Sequence, residues 1–232
     1  MVVQSFDTHT TAVNLAVALS NKCELKIGLL DADVYGPSRF KYYVYFEDMK
    51  MIPVENYGVK CMSMGLLVEK DAPLVWRGPL WSVMSALAKM TRGVDWGNLD
   101  VLVVDMPPGT GDAQITISQN LKLSGAVIVS TPQDVALADA DRGISMFDKV
   151  RVPKEHAGWL QRKLIGEIPL ERKIREGSDE GVPVVVSSPG SVVSKAYEDL
   201  AQNVANGLKE LRDNPENEIQ MKLNVPHSSH SS

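Results

Sequence analysis

The sequence predicts an α/β fold with a doubly wound, mostly parallel sheet. Short apolar runs alternate with segments in which apolar residues recur at helical spacing, which is the pattern of βαβ units. Two of the runs end on an aspartate, at Asp31 and at Asp105. Because parallel strands joined by right-handed crossovers end at one edge of the sheet, these two side chains are expected near each other. Open α/β sheets bind ligands at that edge, so we expect the functional residues there.

The first half of the chain predicts two helices and two strands. Apolar residues at helical spacing, preceded by threonines that can cap a helix, predict a helix over Thr10–Ser20. The short apolar run Lys26–Leu30, which ends at Asp31, predicts a strand. A stripe of apolar residues predicts a helix over Pro79–Met90. The branched apolar run Leu99–Val104 predicts a buried strand that leads into Asp105.

The second half of the chain continues the alternation. Ala126–Ser130 predicts a fourth strand, and a threonine and a proline before Gln133–Val150 predict a helix there. The short apolar segments Leu164–Ile168 and Pro183–Val186 are interpreted as further strands. A long helix is predicted from about Ser191 to Leu211.

Length and charge limit the domain organisation and the class of partner. At 232 residues the chain is long enough for one sizeable domain, predicted over residues 1–211, and short for two. Residues 212–232 are polar and predict a frayed tail. A net charge of −5 argues against a general nucleic-acid or anionic-membrane binder, and no apolar run approaches the length of a membrane span.

Two features of the sequence bear on the compartment. The chain contains two cysteines, which indicates a reducing environment rather than a disulfide framework. Residues 1–10 contain no arginine and are not typical of a mitochondrial presequence.

The segment Leu99–Asp112, LDVLVVDMPPGTGD, is the most informative part of the sequence. Asp105 ends a buried strand, and the Pro-Pro-Gly-Thr-Gly sequence that follows can only turn, because it combines two prolines with two permissive glycines. Asp31 and Asp33 follow the neighbouring strand and are expected at the same edge. Three carboxylates in one place would repel strongly unless a cation or a proton intervened. The sequence therefore predicts an ancestral site for Mg²⁺ and phosphate at this edge.

Other blocks extend this pattern over most of residues 11–150 and 164–211. They include TAVNLAVAL from Thr11, GLLDADVYGPS from Gly28 and GAVIVSTPQDVALADA from Gly125. With DMPPGTGD they resemble the Mrp/MinD-type P-loop ATPases that carry iron–sulfur clusters, and among these the plant mitochondrial members that serve respiratory complex I assembly. The resemblance implies a sheet of the P-loop NTPase (MinD-like) type, and against that pattern the chain is expected to lack part of the first strand and one later strand. It further implies ATP with Mg²⁺, a [4Fe–4S] cluster and a location in the mitochondrial matrix. It also implies a dimer, formed with itself or with an intact homologue, and recipient proteins of complex I as partners.

The resemblance also assigns roles to single residues. Asp31 matches the switch I acid that orients water and is the candidate catalytic residue, and Asp33 lies in the same loop. Asp105 matches the acid that holds Mg²⁺, and Gly109 and Gly111 match the backbone that faces the γ-phosphate. Thr10 and Thr11 are the remaining hydroxyls for a contact with Mg²⁺.

The phosphate-binding loop departs from the family pattern. A P-loop needs G-x-x-x-x-G-K-[ST] between a strand and a helix, but MVVQSFDTH precedes the first helix here, and no glycine occurs before Gly28. The positions of the lysine and of the Mg²⁺-binding hydroxyl fall on Thr8 and His9. Losing about four charge-assisted hydrogen bonds removes roughly 6–12 kcal/mol, whereas micromolar binding is worth only about 8 kcal/mol. We therefore predict that this chain alone does not bind ATP.

The cluster ligands depart from the pattern as well. The family carries a C-x-x-C pair in the interval that is occupied here by Lys154–Lys163, which contains no cysteine. Cys23 and Cys61 are far apart in sequence and lie outside this interval. His227 and His230 lie in the polar tail, so no metal-ligand set is assigned from the sequence.

Three interpretations remain open on the sequence alone, and enzymatic activity is left undecided. The first is an ATP-dependent carrier that delivers [4Fe–4S] clusters for complex I, with impaired binding of ATP and of the cluster. The second is a non-catalytic partner of an intact homologue, and the third is a truncated inactive product. A MinD/ParA-like partitioning protein is disfavoured in its membrane-bound form, because a basic amphipathic C-terminal helix is absent.

Overall fold

The computed structural model describes residues 1–4, 9–33, 45–47, 50–63, 80–121, 123–149 and 164–213. Strands and helices alternate along these residues, as the sequence predicts. The strands are β1 (Val2–Gln4), β2 (Ile27–Asp31), β3 (Tyr45–Glu47), β4 (Lys50–Ile52), β5 (Val54–Asn56), β6 (Val59–Ser63), β7 (Val101–Asp105) and β8 (Ala126–Ile128). The helices are α1 (His9–Cys23), α2 (Leu80–Arg92), α3 (Asp112–Asn120), α4 (Asp134–Lys149), α5 (Arg172–Glu180), α6 (Val184–Ser187) and α7 (Val192–Asp213).

Six of these strands form one sheet in the order β5-β6-β2-β7-β1-β8. All neighbours are parallel except β5, which pairs antiparallel with β6. The three-residue β1 lies between β7 and β8, with Val3 opposite both Asp105 and Val127. The strands β3 and β4 form a separate antiparallel pair.

The sheet has a hydrophobic core on each face, which is the arrangement of a doubly wound fold. Adjacent residues of one strand point to opposite faces, so Leu29 and Leu30 of β2 belong to different cores. Residues of α1, α6 and α7 pack around Leu29, and residues of α2, α3 and α4 pack around Leu30. Leu15 of α1 is fully buried in the first core, where α1 and α7 are in contact. The predicted fold class is confirmed.

Most of the predicted elements are confirmed in type and within a few residues of their bounds. The helices predicted over Thr10–Ser20, Pro79–Met90 and Gln133–Val150 correspond to α1, α2 and α4, and the long C-terminal helix corresponds to α7. The strands predicted around Lys26–Leu30, Leu99–Val104 and Ala126–Ser130 correspond to β2, β7 and β8.

The strand predicted at Leu164–Ile168 is wrong. This segment has no regular secondary structure. Its apolar side chains Ile165 and Ile168 still pack against the core that surrounds Leu29, and the Asn203 side chain of α7 donates a hydrogen bond to the Ile165 carbonyl oxygen at 2.8 Å. A short apolar run can therefore bury its side chains against a helix, which strand periodicity alone does not distinguish from pairing in a sheet.

The strand predicted at Pro183–Val186 is also wrong, because its valines form the short helix α6. The N–H groups of Val186 and Ser187 both donate to the Pro183 carbonyl oxygen, at 2.8 and 2.9 Å. The N–H of Val185 donates to the Asn14 side chain of α1 at 3.3 Å. Packing against α1 thus overrides the β propensity of three consecutive valines. Proline at the start of a helix was the available signal.

Two helices were not predicted from the sequence. Helix α3 carries a mixture of polar and branched residues with little amphipathic pattern. Helix α5 is highly charged and buries only Gly177, but it contains two ion pairs at i,i+4 spacing, Arg172–Glu176 and Arg175–Asp179. Such pairs stabilise exposed helices, and their spacing was the signal that apolar periodicity does not supply.

The chain is described up to the end of α7 at Asp213, so the prediction of a frayed tail falls almost entirely outside the described residues. None of the helices within the described ranges is long and apolar enough to cross a membrane.

Candidate functional site

The register of β2 and β7 brings two of the predicted acids together. Asp31 and Asp105 are the last residues of these parallel strands and are paired directly in the sheet. The Ala32 N–H donates to the Asp105 carbonyl oxygen at 2.9 Å, which continues the pairing to the start of the loop that holds Asp33. All three aspartates are buried, with 5%, 6% and 2% of the surface of Asp31, Asp33 and Asp105 exposed.

Hydrogen bonds fix the Asp31 carboxylate on both of its oxygens. The Ser63 hydroxyl at the end of β6 donates to Oδ2 at 2.7 Å, and the Asp33 backbone N–H donates to Oδ1 at 3.0 Å. Donors that bind the ionised form of a carboxyl group stabilise that form. The sheet therefore holds Asp31 as an oriented carboxylate at the edge.

His9 supplies positive charge at the edge of the sheet where Asp31, Asp33 and Asp105 lie, which we call the acidic edge. It is the first residue of α1, its Nδ1 forms a hydrogen bond with Asp105 Oδ2, and its Nε2 lies 3.6 Å from Asp33 Oδ2. Hydrogen bonding to Asp105 and then to Asp33 raises the pKa of His9 to about 10, although burial opposes the shift. The ring is an imidazolium at neutral pH, so it is the cation that three converging carboxylates require.

Asp105 has one oxygen that the protein leaves unsatisfied. Its Oδ1 is buried and has no hydrogen-bond partner among the residues that the structure describes. One ligand atom each from His9, Asp31 and Asp105 lies within 4.8 Å of the others, which is close enough to hold a metal ion. An unpaired buried carboxylate oxygen is costly, so this atom is available for a cation or a water molecule.

A glycine conformation and hydrogen bonds from a side chain of α3 hold the loop after β7 in place. Gly109 has a φ of +100°, which favours glycine over residues with a side chain. The Gln114 side chain of α3 donates to the Pro108 carbonyl oxygen at 2.6 Å and to that of Pro107 at 3.4 Å. Gly111 caps the N-terminus of α3. Sequence reasoning found both glycines but missed Gln114, whose role depends on the folded loop.

The two threonine candidates lie in the first turn of α1, directly after His9. The Thr10 hydroxyl is 3.2 Å from the Ser178 hydroxyl of α5, and Thr11 is buried. The residue of this turn that contacts the acids is His9. The signal for it was present in the sequence, because His9 occupies the place of the expected Mg²⁺-binding hydroxyl and the acids were predicted to need a cation.

Comparison with known families identifies the family of this chain. The family described as "ParA: NUBPL iron-transfer P-loop NTPase" matches residues 8–155. The chain belongs to this family. The predicted resemblance is confirmed.

Two relatives illustrate the relationship. The "Iron-sulfur protein required for NADH dehydrogenase, mitochondrial" of Arabidopsis thaliana is 74% identical over 258 residues, with 96% of this chain and 82% of that protein covered. The "Iron-sulfur cluster transfer protein NUBPL" of Mus musculus is 50% identical, with 86% of this chain and 73% of that protein covered. Since 96% of 232 residues is about 223, roughly 35 positions of the Arabidopsis match have no counterpart in this chain.

A solved structure that was determined with ADP bound supports the fold. The nucleotide-binding protein of Archaeoglobus fulgidus, determined in complex with ADP, is 27% identical and superimposes with a TM-score of 0.59. The match covers 78% of this chain and 85% of that chain.

The residues present here do not fit ATP·Mg in the manner of a P-loop NTPase. The connection between β1 and α1, where such a protein carries its eight-residue phosphate-binding motif, consists of the four residues Ser5–Thr8 and contains no glycine or lysine. The structure of this connection lies outside the described residues. At the end of this connection, His9 Nδ1 is hydrogen-bonded to Asp105 Oδ2.

The cysteines do not form a pair that could hold a cluster as cargo. Cys61 lies on β6 and Cys23 at the end of α1, and these are the two cysteines of the whole sequence. Burial raises the pKa of the Cys61 thiol to about 12, which disfavours the thiolate that binds metals. The interval Lys154–Lys163, where the resemblance implies a C-x-x-C pair, contains no cysteine and lies outside the described residues.

Proposed function

We propose that this chain is a derived iron–sulfur cluster carrier of the Mrp type, acting in respiratory complex I assembly in the mitochondrial matrix. We further propose that its own binding of ATP and of a [4Fe–4S] cluster is impaired. Family membership and the Arabidopsis relative support the first part. The contact of His9 with Asp105 and Asp33 supports the impaired binding of ATP, and the absence of a C-x-x-C pair from the sequence supports the impaired binding of the cluster.

The nucleotide argument rests on charge and on backbone donors. A triphosphate needs successive backbone N–H groups and a lysine, and Ser5–Thr8 offers neither a glycine to expose N–H groups nor a lysine. Asp7 adds negative charge in this connection. Mg²⁺ at Asp105 would also have to displace an imidazolium that is already paired with it. Each of these terms opposes the binding of ATP·Mg.

The cluster argument rests on the ligand inventory. A [4Fe–4S] cluster is held by cysteine thiolates, and the C-x-x-C pair of the family has no equivalent in this sequence. The sequence has two cysteines, and burial raises the pKa of the Cys61 thiol to about 12, so a cluster with four thiolate ligands on this chain would depend on thiolates from a partner.

The test is calorimetric titration of the purified chain with ATP in the presence of Mg²⁺. We expect no binding in the micromolar range. Micromolar binding by the chain alone would overturn the proposal, because the acidic edge would then suffice without a P-loop.

A loop graft provides the matched control. Replacing Ser5–His9 with GKGGVGKS keeps β1 (Val2–Gln4) in the sheet and restores both the glycines and the lysine. The graft should bind ATP·Mg. Failure of a folded graft to bind would show that the loss lies elsewhere in the site.

An exposed apolar pair favours a second candidate function, that of a non-catalytic partner of an intact homologue. Helix α4 starts at the carboxyl edge of the sheet, after β8, and in its first turn Val135 is 77% exposed and Leu137 is 47% exposed. Exposed apolar side chains of this kind favour contact with a partner protein. Mixing the chain with the Arabidopsis relative should then alter that protein's ATP binding, and Val135→Lys should abolish the effect. No effect in the mixture would leave only the first candidate.

A further inference from the structure

The acidic edge combines an imidazole with oriented carboxylates, which is a ligand set with its own preference among metal ions. Mg²⁺ prefers oxygen ligands and usually retains several waters, whereas imidazole nitrogen favours Zn²⁺ and neighbouring transition metals. The first residue of α1 is therefore the one that changes the chemistry of this edge. A hydroxyl at that position would leave an all-oxygen site, but His9 adds a nitrogen.

We propose that His9, Asp31 and Asp105 form a binding site for a divalent transition-metal ion of the zinc class, independent of any nucleotide. The ligands are one ring nitrogen of His9 and one carboxylate oxygen from each aspartate, and these atoms already lie within 4.8 Å of one another. The metal ion replaces the proton on that nitrogen, and the proton is released to solvent. A tetrahedral ion at 2.0–2.2 Å from each ligand needs separations of about 3.4 Å, so a small rotation of the side chains completes the site. Three protein ligands leave the fourth position of the metal open.

The unsatisfied oxygen of Asp105 points independently to a ligand. Asp105 is 2% exposed, and its Oδ1 is buried without a hydrogen-bond partner among the residues that the structure describes. A buried carboxylate oxygen that lacks a donor is a strong site for a cation. The imidazole contacts Oδ2 of the same carboxylate, so Oδ1 is the oxygen that remains open to a metal ion.

The surroundings of the ligands match those of established metal sites. A metal-bound histidine usually directs its other ring nitrogen to a carboxylate, and His9 Nε2 lies 3.6 Å from Asp33 Oδ2 while Nδ1 faces Asp105. Ser63 and the Asp33 N–H hold the Asp31 carboxylate in place. Three carboxylates against one imidazolium also leave net negative charge at the edge, which a dication neutralises better than a proton does.

The first experiment is calorimetric titration of the chelator-treated protein with ZnCl₂, without nucleotide. The sequence contains three other histidines and two cysteines that could bind Zn²⁺ adventitiously. The titrated protein therefore carries five substitutions that remove these side chains, and we call it the background: His156→Asn, His227→Asn, His230→Asn, Cys23→Ser and Cys61→Ser. We expect this background to bind one equivalent of Zn²⁺ and to show a higher melting temperature with the metal.

Variants of the site distinguish it from adventitious binding. His9→Asn in the same background should weaken Zn²⁺ binding at least tenfold and abolish the rise in melting temperature, because the nitrogen ligand is lost. Asp33→Asn leaves all three ligands in place and should weaken binding about tenfold through the orientation of His9. This second variant keeps the test decisive if His9→Asn fails to fold, as circular dichroism would show.

The spectroscopic readout is Co²⁺ substitution. The background should give visible Co²⁺ bands that change with His9→Asn, and millimolar Mg²⁺ should not displace the metal. Equal Zn²⁺ affinity with and without His9, or loss of all binding in the background, would overturn the proposal. Since no arm uses ATP, this result is independent of the test of nucleotide binding.

Discussion

His9 makes the stability of the metal-free protein decrease as the pH rises above neutrality. Its ordinary pKa of 6.5 describes the unfolded chain, and contacts with Asp105 and then Asp33 raise the pKa to about 10 in the folded protein. The folded state therefore holds the proton more tightly than the unfolded state. The stabilisation is fully present below pH 6.5 and is lost as the pH rises through the folded pKa near 10.

The magnitude follows from the two pKa values and from the exposure of the ring. A rise from 6.5 to about 10 corresponds to an upper limit of about 5 kcal/mol. The His9 side chain is 37% exposed, so solvent screens the ion pair and reduces this figure. We expect the ion pair to contribute about 1–2 kcal/mol to the free energy of unfolding below pH 6.5.

The assay is urea-induced unfolding of the parent chain and of His9→Gln, between pH 6 and pH 10, with a chelator present throughout. The difference in the free energy of unfolding between the two proteins should be largest at pH 6 and should shrink towards pH 10. Taking the difference removes the contributions of other titrating groups. A difference that stays constant across this range, or a His9 proton resonance that titrates near 6.5, would refute the reasoning.

Three further predictions concern packing, a buried polar contact and thiol reactivity. Leu15→Ala should lower the free energy of unfolding by about 2–5 kcal/mol, because Leu15 of α1 is fully buried. The control Leu170→Ala, at a residue that is 91% exposed, should change it by less than about 0.5 kcal/mol, and urea unfolding measures both. Asn14→Ala should cost about 1–3 kcal/mol in the same assay because it removes the acceptor of the Val185 N–H, and a cost below 0.5 kcal/mol would contradict that role. Ellman's reagent should label Cys23 in the native protein before Cys61, whose burial raises the thiol pKa to about 12, and equal labelling rates would count against this difference.

The sequence predicts the sheet well wherever a strand combines a buried apolar run with a carboxylate at its end. The runs before Asp31 and Asp105 are identified correctly because a central parallel strand is buried on both faces and has little tolerance for polar residues. The convergence of these acids follows from the rule that parallel strands end at one edge, and the direct pairing of Asp31 with Asp105 agrees with it.

The failures lie where tertiary contacts outweigh local pattern. Leu164–Ile168 and Pro183–Val186 have the composition of strands, but the first packs on α7 without regular structure and the second forms a helical turn held by Asn14. Neither contact can be read from a local window, because the partners lie 38 and 171 residues apart in the sequence. The sequence placed His9 at the expected position of the Mg²⁺-binding hydroxyl, but its pairing with Asp105, 96 residues further along the chain, follows only from the fold.

The physical requirement for positive charge explains why the acidic edge persists in a chain that lacks a P-loop. Three buried carboxylates cannot remain ionised together in the interior without a cation, whether or not a nucleotide binds. In an intact member of the family, the resemblance implies that a lysine and Mg²⁺ meet this need. Here the first residue of α1 meets it with an imidazolium, which keeps Asp31 and Asp105 compatible with a folded sheet. Replacing His9 with a small neutral residue should therefore destabilise the sheet edge, and replacing Asp105 with asparagine in the same protein should relieve part of that loss. A loss that the second substitution leaves unchanged would show that charge at this edge does not govern its stability.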